Sequence, residues 1–161
     1  MTASKPANEH PSSSSVQRRA ESLALPVLSR QFGVELLGVS VPYHGANMQP
    51  DGKAPDDSMF VEVFAHIGRL KSGQLHKIST DTLKLVALRE RYPDARLILA
   101  FVDQAACDSV VGWRAAILRR YDIEKTVVKI PKNERVKVAA AQVVQKMVNT
   151  VGGVRDDEVN V

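Results

Sequence analysis

The sequence predicts an α/β protein in which helices cover both faces of a mixed β-sheet. Three observations indicate this fold class. Apolar segments with the two-residue period of strands alternate along the chain with longer segments that have the period of helices. One strand segment, ARLILAFVD at 95–103, is apolar on both faces, as a strand covered on both sides should be. The 161 residues suffice for one domain with its own core, and no internal repeat divides them.

Both ends of the chain are expected to lie outside this domain. Residues 1–17 are rich in Ser and Pro and poor in large apolar side chains, which indicates a disordered tail without a secretory signal. Residues 151–161 are expected to form a flexible acidic tail, which places the single α/β domain at 18–150. No run approaches the roughly 20 apolar residues of a membrane span, so no membrane association is expected. The lone Cys107 fits a cytoplasmic location.

The first half of the domain is predicted to contain one helix and two strands. VQRRAESLALPVLSRQF (16–32) has helical periodicity, and Pro26 is expected to kink or restart that helix. GVELLGVSVPY (33–43) predicts a strand, and MFVEVFAHI (59–67) predicts a second one after an acidic loop. We expect these two strands to pair antiparallel. The apolar face of the first strand would consist of Leu37, Val39, Val41 and Tyr43.

The second half is predicted to alternate helices with parallel strands. A helix from Ser72 to about Tyr92 ends at Pro93 and leads into ARLILAFVD. A helix follows Asp103, KTVVKI (125–130) forms the next strand, and a last helix has a good N-cap in Asn133. The apolar stripe of the penultimate helix contains Val110, Trp113, Ile117 and Tyr121, and the last helix is expected to bury Val136, Ala139, Ala140, Val143, Val144 and Met147. Right-handed crossovers between the late strands then give a mixed-sheet three-layer sandwich.

Charges are distributed unevenly along the chain. Residues 114–146 contain nine Lys and Arg residues against three acids, whereas residues 47–64 contain four acids against one Lys. A basic segment together with an acidic one is typical of a protein that grips a phosphate backbone and holds a cation. The alternative is that the basic residues only keep a small domain soluble.

Glu62 is the first candidate site residue, because it lies in the middle of a strand that is expected to be central. A carboxylate there is costly unless a cation, a hydrogen-bond donor or water meets it. Glu62 would be a Mg²⁺ ligand together with Asp56 or Asp57 from the preceding loop, since hard divalent cations prefer carboxylate oxygens. The alternative is an edge-strand Glu that faces solvent or pairs with a lysine.

Lys77, Asp81 and Lys84 fall within one narrow sector of the predicted helix. Lysines on such a face can hold a scissile phosphate or stabilise an attacking hydroxide. The alternative is a ladder of ion pairs along the helix surface, worth only tenths of a kcal/mol. The sequence has no phosphate-binding loop ending in Gly-Lys-Ser/Thr, no dinucleotide-binding glycine pattern and no Gly-x-Ser-x-Gly turn, which disfavours those classes of enzyme.

These residues resemble the PD-(D/E)XK nuclease superfamily, which has a restriction-endonuclease-like fold. APDD (54–57) stands shortly before VEVF (61–64), as an acidic "P-D" element stands before the Glu-x-Lys strand of that superfamily. The resemblance covers about Arg18 to Asp103, and Glu21 matches the acid that many members carry in the first helix. Phe64 occupies the position of the motif lysine. Some members move that lysine to the following helix, which makes Lys77 the substitute here.

The resemblance implies a divergent nuclease that depends on Mg²⁺ or Mn²⁺ and hydrolyses phosphodiester bonds of DNA or RNA. Glu62, Asp57 and Lys77 would be catalytic, and Asp57, Glu62 and Asp56 would hold the metal. The nucleic acid would be bound by Lys84, Lys129, Lys132, Arg135 and Lys137. The alternative is a catalytically inactive nuclease-like fold that acts as a binding module for nucleic acid or a protein. A small α/β enzyme of another kind is a third possibility.

Overall fold

The computed structural model describes the backbone of residues 13–152 and the side chains of residues 15–144. The described residues form five helices and six strands, in agreement with the predicted α/β class. In chain order the elements are α1 (Ser13–Phe32), β1 (Val41–Tyr43), β2 (Ala46–Met48), β3 (Gly52–Lys53), β4 (Met59–Phe64), α2 (Ser72–Arg91), β5 (Arg96–Phe101), α3 (Gln104–Asp108), α4 (Gly112–Arg120), β6 (Ile123–Val127) and α5 (Lys132–Gly152).

The main sheet is mixed and has the strand order β3-β4-β5-β6. The short β3 runs antiparallel to β4, whereas β4, β5 and β6 are parallel to one another. In this register Gly52 lies opposite Val61, and Glu62 lies opposite Leu99. Glu62 therefore sits on a strand with a neighbour on each side, as the sequence predicts.

Helices cover both faces of this sheet, which gives the three layers of a sandwich. On one face Val61 and Val63 of β4 pack in a cluster with residues of α1 and α5. On the other face Phe60 and Phe64 of β4 pack in a second cluster with residues of α2, α3 and α4. Because successive strand residues point to opposite faces, Glu62 lies on the α2 face, between two buried phenylalanines.

The prediction of a strand at 33–43 is wrong for most of these residues. Only Val41–Tyr43 is a strand, and it pairs with Ala46–Met48 as a separate hairpin. His44 and Gly45 both have positive φ, the conformation that a two-residue hairpin turn with the right twist requires. The antiparallel partner of β4 is β3 instead, from within the acidic loop.

The helix predicted after Asp103 is two helices. α3 ends at Asp108, and α4 begins at Gly112, whose φ of 62° interrupts the helical backbone. Val110 is buried beneath the break, but Trp113 at the start of α4 is exposed. The predicted apolar stripe therefore contributes only in part to the core.

The face predicted to be buried on α5 points largely outward. Val136, Val143 and Val144 are exposed, and Val138 is buried in their place. Polar contacts fix this orientation. Arg135 Nη2 donates to Asp103 Oδ1 at 2.5 Å, and the Gln142 amide exchanges two hydrogen bonds with the backbone of Ile67. Met147 lies outside the described side chains.

The predicted disordered and acidic tails lie mostly outside the described residues, which exclude 1–12 and 153–161. α1 begins at Ser13, inside the predicted N-terminal tail, and continues as one helix through Pro26 without restarting. Within the described range, no helix has both the length and the apolar character needed to cross a bilayer.

Candidate active site

Glu62 is fully buried in the centre of β4 and is the focus of the site. Its Oε2 accepts a hydrogen bond from Lys84 Nζ of α2 at 2.5 Å. Its Oε1 is buried and has no hydrogen-bond partner among the described residues. A buried carboxylate oxygen without a donor costs free energy, and such atoms in native proteins often mark a place that a ligand or ion completes.

The α2 stripe predicted from the sequence faces this carboxylate. Lys77 Nζ donates to Asp81 Oδ2 at 2.8 Å, and Lys84 Nζ lies 3.8 Å from Asp81 Oδ1. The side chains of Lys77 and Lys84 are 45% and 28% exposed, whereas that of Asp81 is 5% exposed. Asp81 therefore holds two lysines on the side of α2 that faces β4. The predicted ion pairs along α2 are present. They do not lie wholly on the surface, because Lys84 also pairs with the buried Glu62.

Asp51 is the residue of this site that the sequence interpretation missed. It stands immediately before β3, and the antiparallel register of Gly52 with Val61 brings it opposite Glu62. Its Oδ2 accepts a hydrogen bond from the backbone N–H of Val63 at 2.7 Å. Pro50 and Asp51 themselves form a P-D pair, with ten residues between Asp51 and Glu62. This second P-D pair, farther from Glu62 than the pair at 55–56, is the feature of the sequence from which Asp51 could have been identified.

Glu21 of α1 belongs to the same group of charges. Partial burial, with Asp51 and Asp81 nearby, raises the pKa of Glu21 to about 7, although Lys77 and Lys84 act in the opposite direction. Glu21 thus shares its electrostatic neighbours with the β4 and α2 residues. Glu21, the acid that the resemblance implies in the first helix, therefore lies close enough to Asp51, Lys77 and Lys84 to interact with them.

Burial raises the pKa of the Glu62 carboxyl to about 8, and the negative charge of Asp51 adds to this effect. The Lys84 ammonium lowers it, but not enough to offset desolvation. Burial likewise raises the pKa of Asp81. For Lys77, burial disfavours the charged form, but Asp81, Glu21 and Asp51 together raise its pKa. Several carboxyls with shifted pKa values in one place are typical of functional sites. We call Glu21, Asp51, Glu62, Lys77, Asp81 and Lys84 the acid–lysine cluster.

Asp56 and Asp57, the predicted metal ligands, do not belong to the acid–lysine cluster. Asp56 Oδ1 accepts hydrogen bonds from the backbone N–H and the hydroxyl of Ser58. Asp57 has a φ of 60° in the turn and forms an ion pair with Lys53. The turn precedes Met59, and Glu62 lies a further three residues along β4, roughly 10 Å at about 3.3 Å per residue.

The residues predicted to bind nucleic acid are divided between two places. Lys84 belongs to the acid–lysine cluster, whereas the other four follow β6 or lie on α5. Among those four, Arg135 is paired with Asp103 and Lys137 with Glu134. Lys129 and Lys132 are exposed and form no ion pair with a described residue. They are therefore the two most available cations of this segment.

The donor atoms of this site are those that a divalent cation with few protein ligands prefers. Within the described side chains, no three or more His, Cys, Asp and Glu residues are placed together to hold a metal ion. Mg²⁺, however, keeps several waters and often takes only one or two carboxylates. The unpartnered Oε1 of Glu62 and the carboxylate of Asp51, which precedes the neighbouring strand, are hard oxygen donors of the kind that such an ion prefers, so the residue types present fit it.

No protein-family model, curated protein or solved structure matches this chain. The resemblance to the PD-(D/E)XK nucleases therefore has the support of the residues alone.

Proposed function

We propose that this protein is a metal-dependent nuclease of restriction-endonuclease-like fold, which hydrolyses phosphodiester bonds of DNA or RNA. One observation carries the proposal. Glu62 is fully buried on a central strand with one carboxylate oxygen unpartnered among the described residues, between Asp51 and the lysines of α2. Desolvation of this carboxylate beside another acid costs free energy, and titratable groups held at such a cost are typical of functional sites.

Glu62 and Asp51 would hold Mg²⁺ or Mn²⁺ in this site. When bound, such a cation polarises a phosphoryl oxygen and stabilises the charge that develops during displacement. In this proposal Asp51 replaces Asp57 as the second carboxylate, because Asp51 lies opposite Glu62 and Asp57 is paired with Lys53. The hydrogen bond from the Val63 N–H fixes the Asp51 carboxylate in place.

Lys77 is the lysine that is available to substrate. Phe64, at the position of the motif lysine, is buried in the core and has no polar atom with which to orient a water molecule. Lys84 is paired with Glu62, whereas the more exposed Lys77 pairs with Asp81 on the same helix and lies 5.3 Å from the centre of the Phe64 ring. The Lys77 ammonium would donate to a phosphate oxygen or to the attacking water. The ion pair with Asp81 keeps the Lys77 ammonium close to Phe64, the last residue of β4.

The test is cleavage of supercoiled plasmid, single-stranded DNA and RNA by wild type and by Glu62→Gln, each with Mg²⁺, with Mn²⁺ or with EDTA. We expect cleavage that requires metal and falls by at least about 100-fold in Glu62→Gln, because one metal-binding carboxylate is lost. The matched control is Glu124→Gln, which changes an exposed carboxylate paired with Arg96 and should retain full activity. Circular dichroism checks that both variants fold.

A binding module without catalytic activity is the second candidate function. It is favoured by the 2.5 Å contact between Lys84 and Glu62, which partly neutralises the buried carboxylate without a metal. Binding of nucleic acid that depends on salt but is unaffected by EDTA, with no cleavage of any substrate, would support it over the nuclease.

A further inference from the structure

A groove on the outer surface between α2 and α4 is not used by the proposed nuclease. Its walls include Thr82, Leu83 and Val86 from α2, and Trp113 and Ile117 from α4. Its volume is about 320 Å³, at the lower end of the roughly 300–1,000 Å³ typical of ligand-binding pockets. The groove is lined mainly by apolar side chains.

The groove and the acid–lysine cluster lie on different sides of α2. Ser79 in the groove wall follows Lys77 by two residues, and Val86 follows Lys84 by two residues. Two residues of an α-helix correspond to a rotation of about 160° the short way round. A molecule in the groove would therefore contact a different face of α2 from the one that meets Glu62.

Large apolar side chains in the groove are unusually accessible. Leu83 is 69% exposed and Trp113 is 58% exposed, and Tyr121 closes the far end of the groove. Tryptophan, tyrosine and arginine are enriched at the centres of protein–protein interfaces, where they fill pockets or form anchors. An aliphatic floor with an aromatic side chain at each end suits apolar side chains of a protein partner.

The rim of the groove is positively charged. Arg114 Nε donates to Ser79 Oγ at 3.0 Å, and its guanidinium carbon lies 4.3 Å from the Trp113 ring centre. Arg120 lies over Tyr121 at 5.9 Å. No carboxylate among the described residues forms an ion pair with Arg114 or Arg120. α4 itself contains no acidic residue, so a partner with negative charge would be complementary to this rim.

We propose that this groove binds an acidic amphipathic helix of another protein. The span from Trp113 to Tyr121 is eight residues, roughly 12 Å or two helical turns, which suits the apolar anchors of one such helix. A second copy of this chain that packed groove against groove would bring the same arginines to the interface and be repelled. A nucleic-acid strand would find two aromatic side chains separated by an aliphatic floor in place of successive stacking platforms.

The probe is a synthetic peptide of about 15 residues, a length at which isolated helices begin to be stable. It carries leucines at helical spacing on one face and glutamates on the other. A matched peptide has lysine in place of each glutamate. Trp113 is the sole tryptophan of the chain, so its fluorescence reports occupancy of the groove directly. We expect the acidic peptide to shift Trp113 emission, and we expect the lysine peptide to bind at least about tenfold more weakly.

Two variants test the location of binding. Leu83→Glu and Arg114→Gln should each weaken binding of the acidic peptide by about tenfold or more. Leu83→Glu removes an apolar contact, and Arg114→Gln removes the cation that would pair with a carboxylate of the peptide. Leu83 is mostly solvent-exposed, so its replacement leaves the fold intact, and Val136→Glu is the matched change on α5, where the side chain is 61% exposed. Equal binding of both peptides, unchanged affinity in both groove variants, or a Trp113 response to oligothymidylate alone would each overturn the proposal.

Discussion

Among single residues, the environment of Glu62 explains why this carboxyl is chemically distinct from the other acids that the structure describes. Its side chain is fully buried, its Oε2 contacts Lys84, and its Oε1 has no partner among the described residues. Asp51 lies opposite it and raises its pKa further. The structure thus keeps two acids together, and a bound cation would reduce their repulsion in the proposed nuclease.

The raised pKa of Glu62 predicts a particular dependence of stability on pH. Since the folded-state pKa of about 8 exceeds the usual 4.5, Glu62 favours folding most below pH 4.5, and this contribution is lost as pH rises towards 8. The amide that replaces this carboxyl in Glu62→Gln cannot ionise. Between pH 4.5 and 8, the free energy of unfolding of wild type should therefore fall relative to that of Glu62→Gln. The change is at most about 1.4 kcal/mol per pH unit. Urea denaturation across this range measures it, and parallel curves for the two proteins would contradict the assignment.

At the scale of elements, the sequence predicts best where one periodicity dominates. β4, β5 and α2 have unambiguous patterns and are found close to the expected positions. The face of α5 could not be predicted in this way, because Arg135 and Gln142 orient that helix through contacts with distant parts of the chain. The hairpin of β1 and β2 depends on its turn, whose left-handed backbone at His44 is not revealed by apolar alternation.

The candidate site was predictable to a similar extent. Glu62, Lys77 and Lys84 can be found because a carboxylate inside an apolar strand and charges at helical spacing are local features. Proximity in the sequence could not show whether Asp57 or Asp51 lies beside Glu62. Antiparallel pairing of β3 with β4 brings the more distant acid opposite Glu62, and the nearer one lies in the turn before the strand.

The break between α3 and α4 gives a prediction about backbone conformation. Gly112 has a φ of 62°, which costs a residue with a Cβ about 1–2 kcal/mol. Gly112→Ala should therefore lower the free energy of unfolding by about 1 kcal/mol. The matched control is Gly73→Ala at the start of α2, where an added Cβ meets no atom within 4 Å and φ is not positive. That variant should be neutral or up to about 1 kcal/mol more stable, and equal destabilisation of both would contradict the account.

At the scale of the whole molecule, α2 separates two surfaces with different chemistry. One side of the helix meets the buried acids of the main sheet, and the other forms the apolar groove with α4. The exposed cations that follow β6 form a third feature, in the segment that leads into α5. Such a division allows a partner protein to bind without covering the proposed reaction centre.

The basic segment predicts how binding of nucleic acid responds to salt. If Lys129 and Lys132 contact phosphates, Lys129→Gln/Lys132→Gln should weaken binding of all sequences alike and reduce the slope of log K against log salt by about 2. Fluorescence anisotropy with a labelled duplex and a labelled single strand measures this slope. Arg91→Gln, at the C-terminal end of α2, removes one exposed charge from another part of the molecule and should leave the slope unchanged. An equal decrease in both proteins would indicate a general effect of net charge.

The most direct measurement of the central claim compares Asp51→Asn with Asp57→Asn in one metal-dependent cleavage assay, on the substrate that the wild-type protein cuts fastest. We expect Asp51→Asn to lose at least about 100-fold in rate, because Asp51 lies opposite Glu62 and would share the cation with it. Asp57→Asn should cut at the wild-type rate, since its carboxylate is paired with Lys53. Loss of cleavage in Asp57→Asn with full activity in Asp51→Asn, or absence of cleavage by the folded wild-type protein, would contradict the account.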